Sequence, residues 1–589
     1  MRLVSRRGRW ANGILAGMTG TSNWIRRAVA AVVCLAVAGL SYTWATAIMD
    51  SLYDFRAPLT ATVADSATSA KPAPRTTALA RKVVMVLVDG LRVDTAADTA
   101  VMPFLAQLRA KGASATVHSH TPSYSVPSWT VLLTGAWPDR HGAPVMNPTD
   151  PQTSPAWPVD NIFAAAKDAG RRTAVVGSDW FTPLVPSSAL TTTHFVHEET
   201  DAADQESTDA TVAMLRDDTA DLVLLHLNEV DHAGHHAGGG TSPAWRTAAT
   251  KVDARLAQVA AALDFTRDAM LVVSDHGHLD QGGHGGPEEI VVTEPLVLVG
   301  AGVRPGVAPD VQQVDVAPTL AVLAGARVLQ AAQGEAALAM ITLDDATRTA
   351  LGAAQVAQQD LLVARYRGDL TRSTQPVAIG TTPAPAATAP TGDGQLSQRS
   401  PTQYGQDAIT EIRAATLSQE RSGRAANLIL LALVAIPGLV LWVFRHRRTA
   451  LWALAGAAAY LVVWQAYWKV IGKTYSLSSV MSAGEIVNAT AIGTALGLAA
   501  ALAVMWRGRR PARTEAPWAV WSVGVAVATV LAVPIAFYAW QWGPTVTWTV
   551  PDALPMYLAF SALVQLLVVA VVVLLLGAAA TLRARATRA

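Results

Sequence analysis

Six stretches of this chain run for about 20 residues each without a charged side chain, the length needed to cross a bilayer's hydrocarbon core. They are Ala28–Met49, Asn427–Phe444, Ala450–Trp468, Ile486–Trp506, Trp518–Trp540 and Met556–Leu582. Each reads as a transmembrane helix, and together they explain how 51% hydrophobic residues coexist with only 15% charged ones.

Arginine placement orients the spans. Arg2, Arg6, Arg7, Arg9, Arg26 and Arg27 precede the first, and Arg445, Arg447 and Arg448 follow the second. Arg507, Arg509, Arg510 and Arg513 follow the fourth, and Arg583, Arg585 and Arg588 follow the sixth. Only Lys469 and Lys473 lie on the other side. The expectation is an integral membrane protein with both termini cytoplasmic and residues 50–426 outside. Trp44–Ala47 resembles a signal-peptidase site, but the apolar run before it is longer than a signal peptide's, so the first span reads as a retained anchor.

The exported segment from Asp50 to Arg424 carries 27 Lys+Arg against 41 Asp+Glu. A balance of −14 argues against nucleic-acid binding, which needs a basic footprint. The one cysteine, Cys34, lies in the first span, so the segment folds without disulfides. Composition divides the chain into a cytoplasmic N-terminus (1–27), an anchor (28–49), an Ala/Thr/Ser/Pro spacer (50–80) and a folded domain (81–370). A low-complexity linker (371–400), a helix-prone juxtamembrane segment (401–426), five further spans (427–582) and a cytoplasmic tail (583–589) follow.

Within 81–370, short aliphatic runs alternate with helical patterns. The runs are KVVMVLV, TAVVGS, DLVLLHL, AMLVVS and PLVLVG, and the helical patterns include Asp160–Ala169 and Pro243–Leu263. Runs of this kind read as strands buried on both faces. Their alternation with helices predicts an α/β fold, a doubly wound, mostly parallel sheet, joined here to an all-α transmembrane bundle. In such folds ligands bind beyond the carboxyl ends of the strands.

Acids and histidines collect at those ends. Asp89 closes the first run; Asp231, His232, His235 and His236 follow the third; Asp275, His276, His278, Asp280 and His284 follow the fourth. Carboxylate with imidazole and no thiolate suits zinc, manganese or a similar divalent ion. The number of such groups exceeds what one tetrahedral ion uses, and two ions would account for them.

Taken in order, Asp89, Ser125-Val126-Pro127-Ser128, Leu132–Gly142, Asp231-His232-Ala233-Gly234-His235, Asp275-His276-Gly277, His284 and Asp315–Gly325 resemble the alkaline phosphatase superfamily. The likeness is nearest to type I phosphodiesterase/nucleotide pyrophosphatases and spans about Val83 to Gly325. It implies one metal held by Asp231, His235 and His284, and another held by Asp89, Asp275 and His276. His232, His236 and His278 match no ligand position. His226 and Asn228, just before the ligand loop, are expected either to touch substrate or to have a packing role.

The resemblance makes Ser125 the nucleophile, and its surroundings agree. Pro127 and the apolar run after it predict a helix starting beside Ser125, whose N-terminus favours anions. Ser128 stands where the pyrophosphatases carry an oxyanion-binding Asn, and is a second catalytic candidate. Trp129 departs from relatives that carry His. Sulfatases share the hydroxyl–x–Pro–Ser frame but follow it with Arg; that Arg and the cysteine precursor of formylglycine are both missing here.

The expected activity is that of an extracytoplasmic, membrane-bound phosphodiesterase or phosphatase using two metal ions and a phosphoseryl intermediate. The alternative is a phosphoethanolamine-type transferase, since one span, an ectodomain and a bundle also resemble GPI ethanolamine phosphate transferases. Its substrate would be a phosphate ester on a lipid-linked glycan, met at the membrane lipid. A non-catalytic scaffold would be expected to lack some of these ligands, and all are present.

Overall fold

A computed structural model describes residues 7–55, 57, 77–143, 145–148, 150, 157, 159–373, 401–480, 483–511 and 515–586. Most of the spacer and nearly all of the expected 371–400 linker lie outside the described residues.

Among the described residues nine strands form one sheet: β1 Val83–Val88, β2 Ala113–His118, β3 Thr173–Ser178, β4 Thr192–Val196, β5 Leu222–Leu227, β6 Ala269–Val273, β7 Thr293–Gly300, β8 Gly306–Val307 and β9 Val311–Gln312. Their order is β4-β3-β5-β1-β6-β7-β2-β8, with β9 also on β2. From β4 to β6 every pairing is parallel, whereas β7 is antiparallel to both β6 and β2. The sheet is therefore mostly parallel, with a single inverted strand. All five strands read from the sequence are present. The anticipated helices are Ile162–Asp168 and Pro243–Ala260.

Side chains of the central strands alternate between two cores. Val83, Met85 and Leu87 join one cluster with Leu222, Leu224 and Leu271. Val84, Val86 and Val88 join the other with Val223, Leu225 and Val272. Successive strand residues point to opposite faces, so helices must cover both. Each fully buried Val or Leu contributes about 1.5–3 kcal/mol. The sheet is thus a rigid base whose strand ends are held in place.

Among the described residues six helices are long and apolar enough to cross a membrane: Ile25–Tyr53, Gly405–Arg445, Arg447–Val470, Gly484–Arg509, Ala516–Trp542 and Ala553–Arg583. They coincide with the six uncharged runs. The second belongs to a continuous helix, Pro401–Arg445, whose first half lies against the domain. There Ile409 packs with Leu362 and Tyr366 of the helix Asp345–Ser373 and with Trp548 of the bundle.

One loop of the bundle bonds to the domain directly, and a second is linked to it through Arg413. Gly286 N–H donates to Ser478 Oγ at 2.7 Å, and Ser478 Oγ donates to Glu288 Oε2 at 2.6 Å. A Cβ on Gly286 would lie 2.0 Å from Ser476 Oγ and 2.6 Å from Ser478 Oγ, so the serine hydroxyls fill the space that a side chain here would need. Elsewhere Arg413 forms an ion pair with Asp139 at 2.8 Å and donates to Thr549 Oγ1 at 2.6 Å.

Candidate metal centre and nucleophile

In the sheet β1 lies between β5 and β6, which makes neighbours of segments far apart in sequence. Val88 pairs with Leu227 and Leu87 with Val273. The chain then leaves the sheet at Asp89, at Asn228 and at Ser274, with strands about 4.8 Å apart. Asn228 leads directly into the helix Glu229–His236. There Asp231 and His235, four residues apart, share one face. Asp204, from the helix Asp201–Arg216, fixes that helix start by accepting from Asn228 N at 2.9 Å and Glu229 N at 3.1 Å.

Two groups of ligand-type atoms result, each within 4.8 Å of one another: Asp89, Asp275 and His276, and Asp231, His235, His278 and His284. All six residues expected as ligands fall into them, together with His278. The ring of His278 accepts from Gly283 N–H at Nδ1 (3.1 Å), and its Nε2 lies 2.6 Å from Asp231 Oδ1. Burial lowers this histidine to about 4, so the ring is neutral, with its proton on Nε2 pointing at Asp231. Both nitrogens of His278 are therefore engaged, and it orients Asp231.

The other rings are set the opposite way. His284 Nδ1 lies 2.9 Å from the Ser123 carbonyl and His276 Nδ1 lies 3.2 Å from the Gly277 carbonyl. Both donate through Nδ1, which leaves each Nε2 as a lone pair facing the centre. His276 Nε2 lies 3.3 Å from Ser125 Oγ, 3.4 Å from Asp89 Oδ1 and 3.5 Å from Asp275 Oδ2. His284 Nε2 meets His235 Nε2 at 3.0 Å.

These residues fit divalent cations. Asp89 Oδ1 is buried with no hydrogen-bond partner among the described residues. Burial, then the charges of Asp275 and Asp231, push the Asp89 carboxyl well above the usual range. Burial likewise holds His284 well below its usual value. An orphaned carboxylate oxygen and converging imidazole lone pairs are costly alone and are relieved by a positive ion.

Asp275 is held by three donors: Gly90 N and His276 N reach Oδ1, each at 3.0 Å, and Trp129 Nε1 reaches Oδ2 at 2.7 Å. Gly90 has φ +72°, and a Cβ there would stand 3.1 Å from Asp231 Cα. Trp129, the residue that departs from the family pattern, stacks on Phe181 with ring centres 4.4 Å apart. His226 is 2% exposed, donates through Nε2 to Asp89 Oδ2 at 3.0 Å, and lies edge-on to Trp129. Asn228 Nδ2 is buried with no hydrogen-bond partner among the described residues.

Ser125 is the first residue of the helix Ser125–Thr134, which ends at left-handed Gly135. Ser128 is buried in its first turn. Ser123 Oγ accepts from Gly285 N and donates to Gly286 O, tying the nucleophile's loop to the one carrying His284. Val126 N–H donates to Asn147 Oδ1 at 3.0 Å. Asn147 carried no motif in the sequence; only folding brings it beside Ser125.

On its bundle side the centre opens into a largely apolar cavity of about 280 Å³. Met49 and Tyr53 of the first span, Met556 and Phe560 of the last, and His235 and His284 line it.

Residues 83–315 match the family described as type I phosphodiesterase / nucleotide pyrophosphatase. Curated relatives include the human GPI ethanolamine phosphate transferase 2, catalytic subunit, 29% identical over 264 residues, covering 41% of this chain and 26% of the relative. The human GPI ethanolamine phosphate transferase 3, catalytic subunit, is 27% identical over 272 residues, covering 41% and 24%. The chain thus spans about a quarter of the length of these relatives. Among solved structures, murine ectonucleotide pyrophosphatase / phosphodiesterase 5 aligns at 15% identity with a TM-score of 0.35, over 42% of this chain and 96% of that one.

Proposed function

We propose that this protein is a membrane-bound, extracytoplasmic phosphodiesterase or phosphatase in which Ser125 attacks phosphorus. The observation that carries the reading is Ser125 Oγ, 3.3 Å from His276 Nε2 at a helix N-terminus, beside acids and imidazoles crowded beyond what they tolerate alone. Two divalent ions, zinc or manganese, one at Asp231, His235 and His284 and one at Asp89, Asp275 and His276, would offset phosphate charge and lower the Ser125 hydroxyl pKa.

The chain's own groups perform the rest. His278 and His226 hold Asp231 and Asp89, and Trp129 holds Asp275. The helix dipole at Ser125 favours the incoming anion. The unpartnered Asn228 Nδ2 and the Ser128 hydroxyl supply hydrogen bonds to phosphate oxygens. A bond forms between Ser125 Oγ and phosphorus as the ester P–O bond breaks and the alcohol leaves. Water then attacks the phosphoseryl phosphorus and frees Ser125.

Arginines frame the orientation. Arg445, Arg447, Arg448, Arg507, Arg509 and Arg583 sit at span ends opposite the loops that bind the domain. This placement supports the reading of cytoplasmic termini and an outside domain.

The cavity favours a second reading, transfer to a lipid-linked glycan, because membrane helices form its wall within reach of His235 and His284. In that reaction an acceptor hydroxyl replaces water, and a phosphoethanolamine-type group is moved. The curated relatives bear the names of such transferases.

The purified, zinc-loaded protein should turn over bis-p-nitrophenyl phosphate or its monoester, and Ser125→Ala should abolish this. Equal turnover by that variant overturns the mechanism. Labelled phosphoethanolamine appearing on membrane glycolipid, instead of free in solution, selects the transferase.

A further inference from the structure

A second cleft, of about 740 Å³, opens where the domain meets the bundle, away from the metal ligands. Its wall includes His120, Trp137, Gln333, Arg413, Arg421 and Asp552. Between it and the apolar cavity lies a small gap of about 10 Å³, here called the neck, which shares lining residues with both. Thr121 and Pro122 border both cleft and neck, while Leu52 and Met146 border both neck and cavity. A gap of that volume holds about one water. The Thr121–Pro122 turn, four residues before the nucleophile, therefore divides two spaces of different character.

The cleft's chemistry is specific. His120 and Trp137 stack with ring centres 3.9 Å apart and planes 10° apart. Gln333 is 4% exposed and uses Oε1 to accept from Trp137 N–H at 2.7 Å. No hydrogen bond to its Nε2 exists among the described residues. Arg421 Nε is also buried with no partner among them. Two arginines, Arg413 and Arg421, face two acids, Asp139 and Asp552, so the cleft has no net charge.

We propose that this cleft binds a neutral sugar residue of the substrate. A phosphate would select net positive charge, which is absent here. Hydroxyl groups need donors and acceptors mixed, and the amides, guanidinium and carboxylates provide both. The C–H face of a pyranose packs on an aromatic ring, and Trp137 supplies one at the rim. The cleft rests on the proposed function for placing a sugar-bearing phosphate ester here, and on its own residues for binding. A glycan in the cleft and a lipid in the cavity would meet on either side of the turn that carries the chain to Ser125.

The full-length protein in nanodiscs, titrated calorimetrically with neutral gluco-, manno- and galacto-trisaccharides, tests this. At least one should bind, and Trp137→Ala and Arg421→Gln should each weaken it about tenfold, while Ser125→Ala binds as wild type does. Two variants on separate elements guard against loss through misfolding, which gel filtration checks. No trisaccharide binding, or binding unchanged in both variants, overturns the assignment. So does inorganic phosphate competing at the same site through Arg421. Turnover of bis-p-nitrophenyl phosphate and of its monoester is read on the same sample after zinc loading: absence of both sinks the proposed hydrolase function and leaves the sugar result standing.

Discussion

The indole N–H of Trp129 donates to Asp275 Oδ2 at 2.7 Å, in a site where both side chains are buried. The bond leaves Asp275 with little rotational freedom and fixes one face of the centre built from Asp89, Asp275 and His276. Partners behind a ligand typically change metal affinity 10- to 100-fold. Trp129→Phe keeps the stack on Phe181 and removes only the donor. Zinc affinity at one of two sites should fall by about tenfold or more, read by chelator competition. Unchanged affinity would show that Gly90 N–H and His276 N–H suffice.

The loop joining the third and fourth spans reaches the loop of His284 through Ser478. Ser478→Ala leaves the Gly286 N–H and Glu288 without their partner in a buried place, at a cost of about 1–3 kcal/mol. Amide exchange at Gly286 should accelerate about tenfold or more in the intact protein. Exchange at the wild-type rate would mean the bundle does not restrain the metal loop.

Much of this was legible because strand ends carry their chemistry in local sequence. Asp89, Asp231, Asp275 and His276 follow buried aliphatic runs, and a parallel sheet places such ends together. β2, with the sequence ASATVH, and β4, TTHFV, gave no such signal, because sheet partners and not their own composition make them strands. The inversion of β7 was equally hidden, since PLVLVG reads alike in either direction. His226 was expected either at the substrate or in packing; the structure buries it against Asp89, a contact that depends on the register of β1 and β5. Asn147 and the sugar cleft depend on contacts across more than 20 residues, where periodicity says nothing.

Asp204 should make stability depend on pH. Burial raises its carboxyl to about 6, although two backbone N–H groups pull it down. An unfolded Asp titrates near 3.9, so the folded state holds the proton more tightly. The stabilisation is fully present below about pH 4 and is lost as pH rises through about 6, up to roughly 3 kcal/mol. Asp204→Asn removes the titration, so the wild-type advantage over this variant should shrink between about pH 4 and 7. Thermal midpoints of both proteins across that window measure it; a constant difference would place Asp204 at an ordinary value. Metal-ligand titrations, shared by both proteins, cancel in the comparison.

His278 and His284 lie in the same group of ligand-type residues, yet their ring protons point in opposite senses. His284 gives Nδ1–H to the Ser123 carbonyl and keeps Nε2 for a cation, whereas His278 receives Gly283 N–H at Nδ1 and gives Nε2–H to Asp231. Loss of the two rings should therefore differ in kind. His284→Ala should remove one bound zinc per chain. His278→Gln keeps a side-chain N–H donor and should leave the stoichiometry unchanged, with affinity weakened by no more than about 10- to 100-fold. Metal content after gel filtration, measured by mass spectrometry beside a chelator titration, separates the outcomes. If His278→Gln loses a whole equivalent of zinc, His278 is a ligand and its proton sits elsewhere; if His284→Ala retains both, the lone pair at His284 Nε2 is not used.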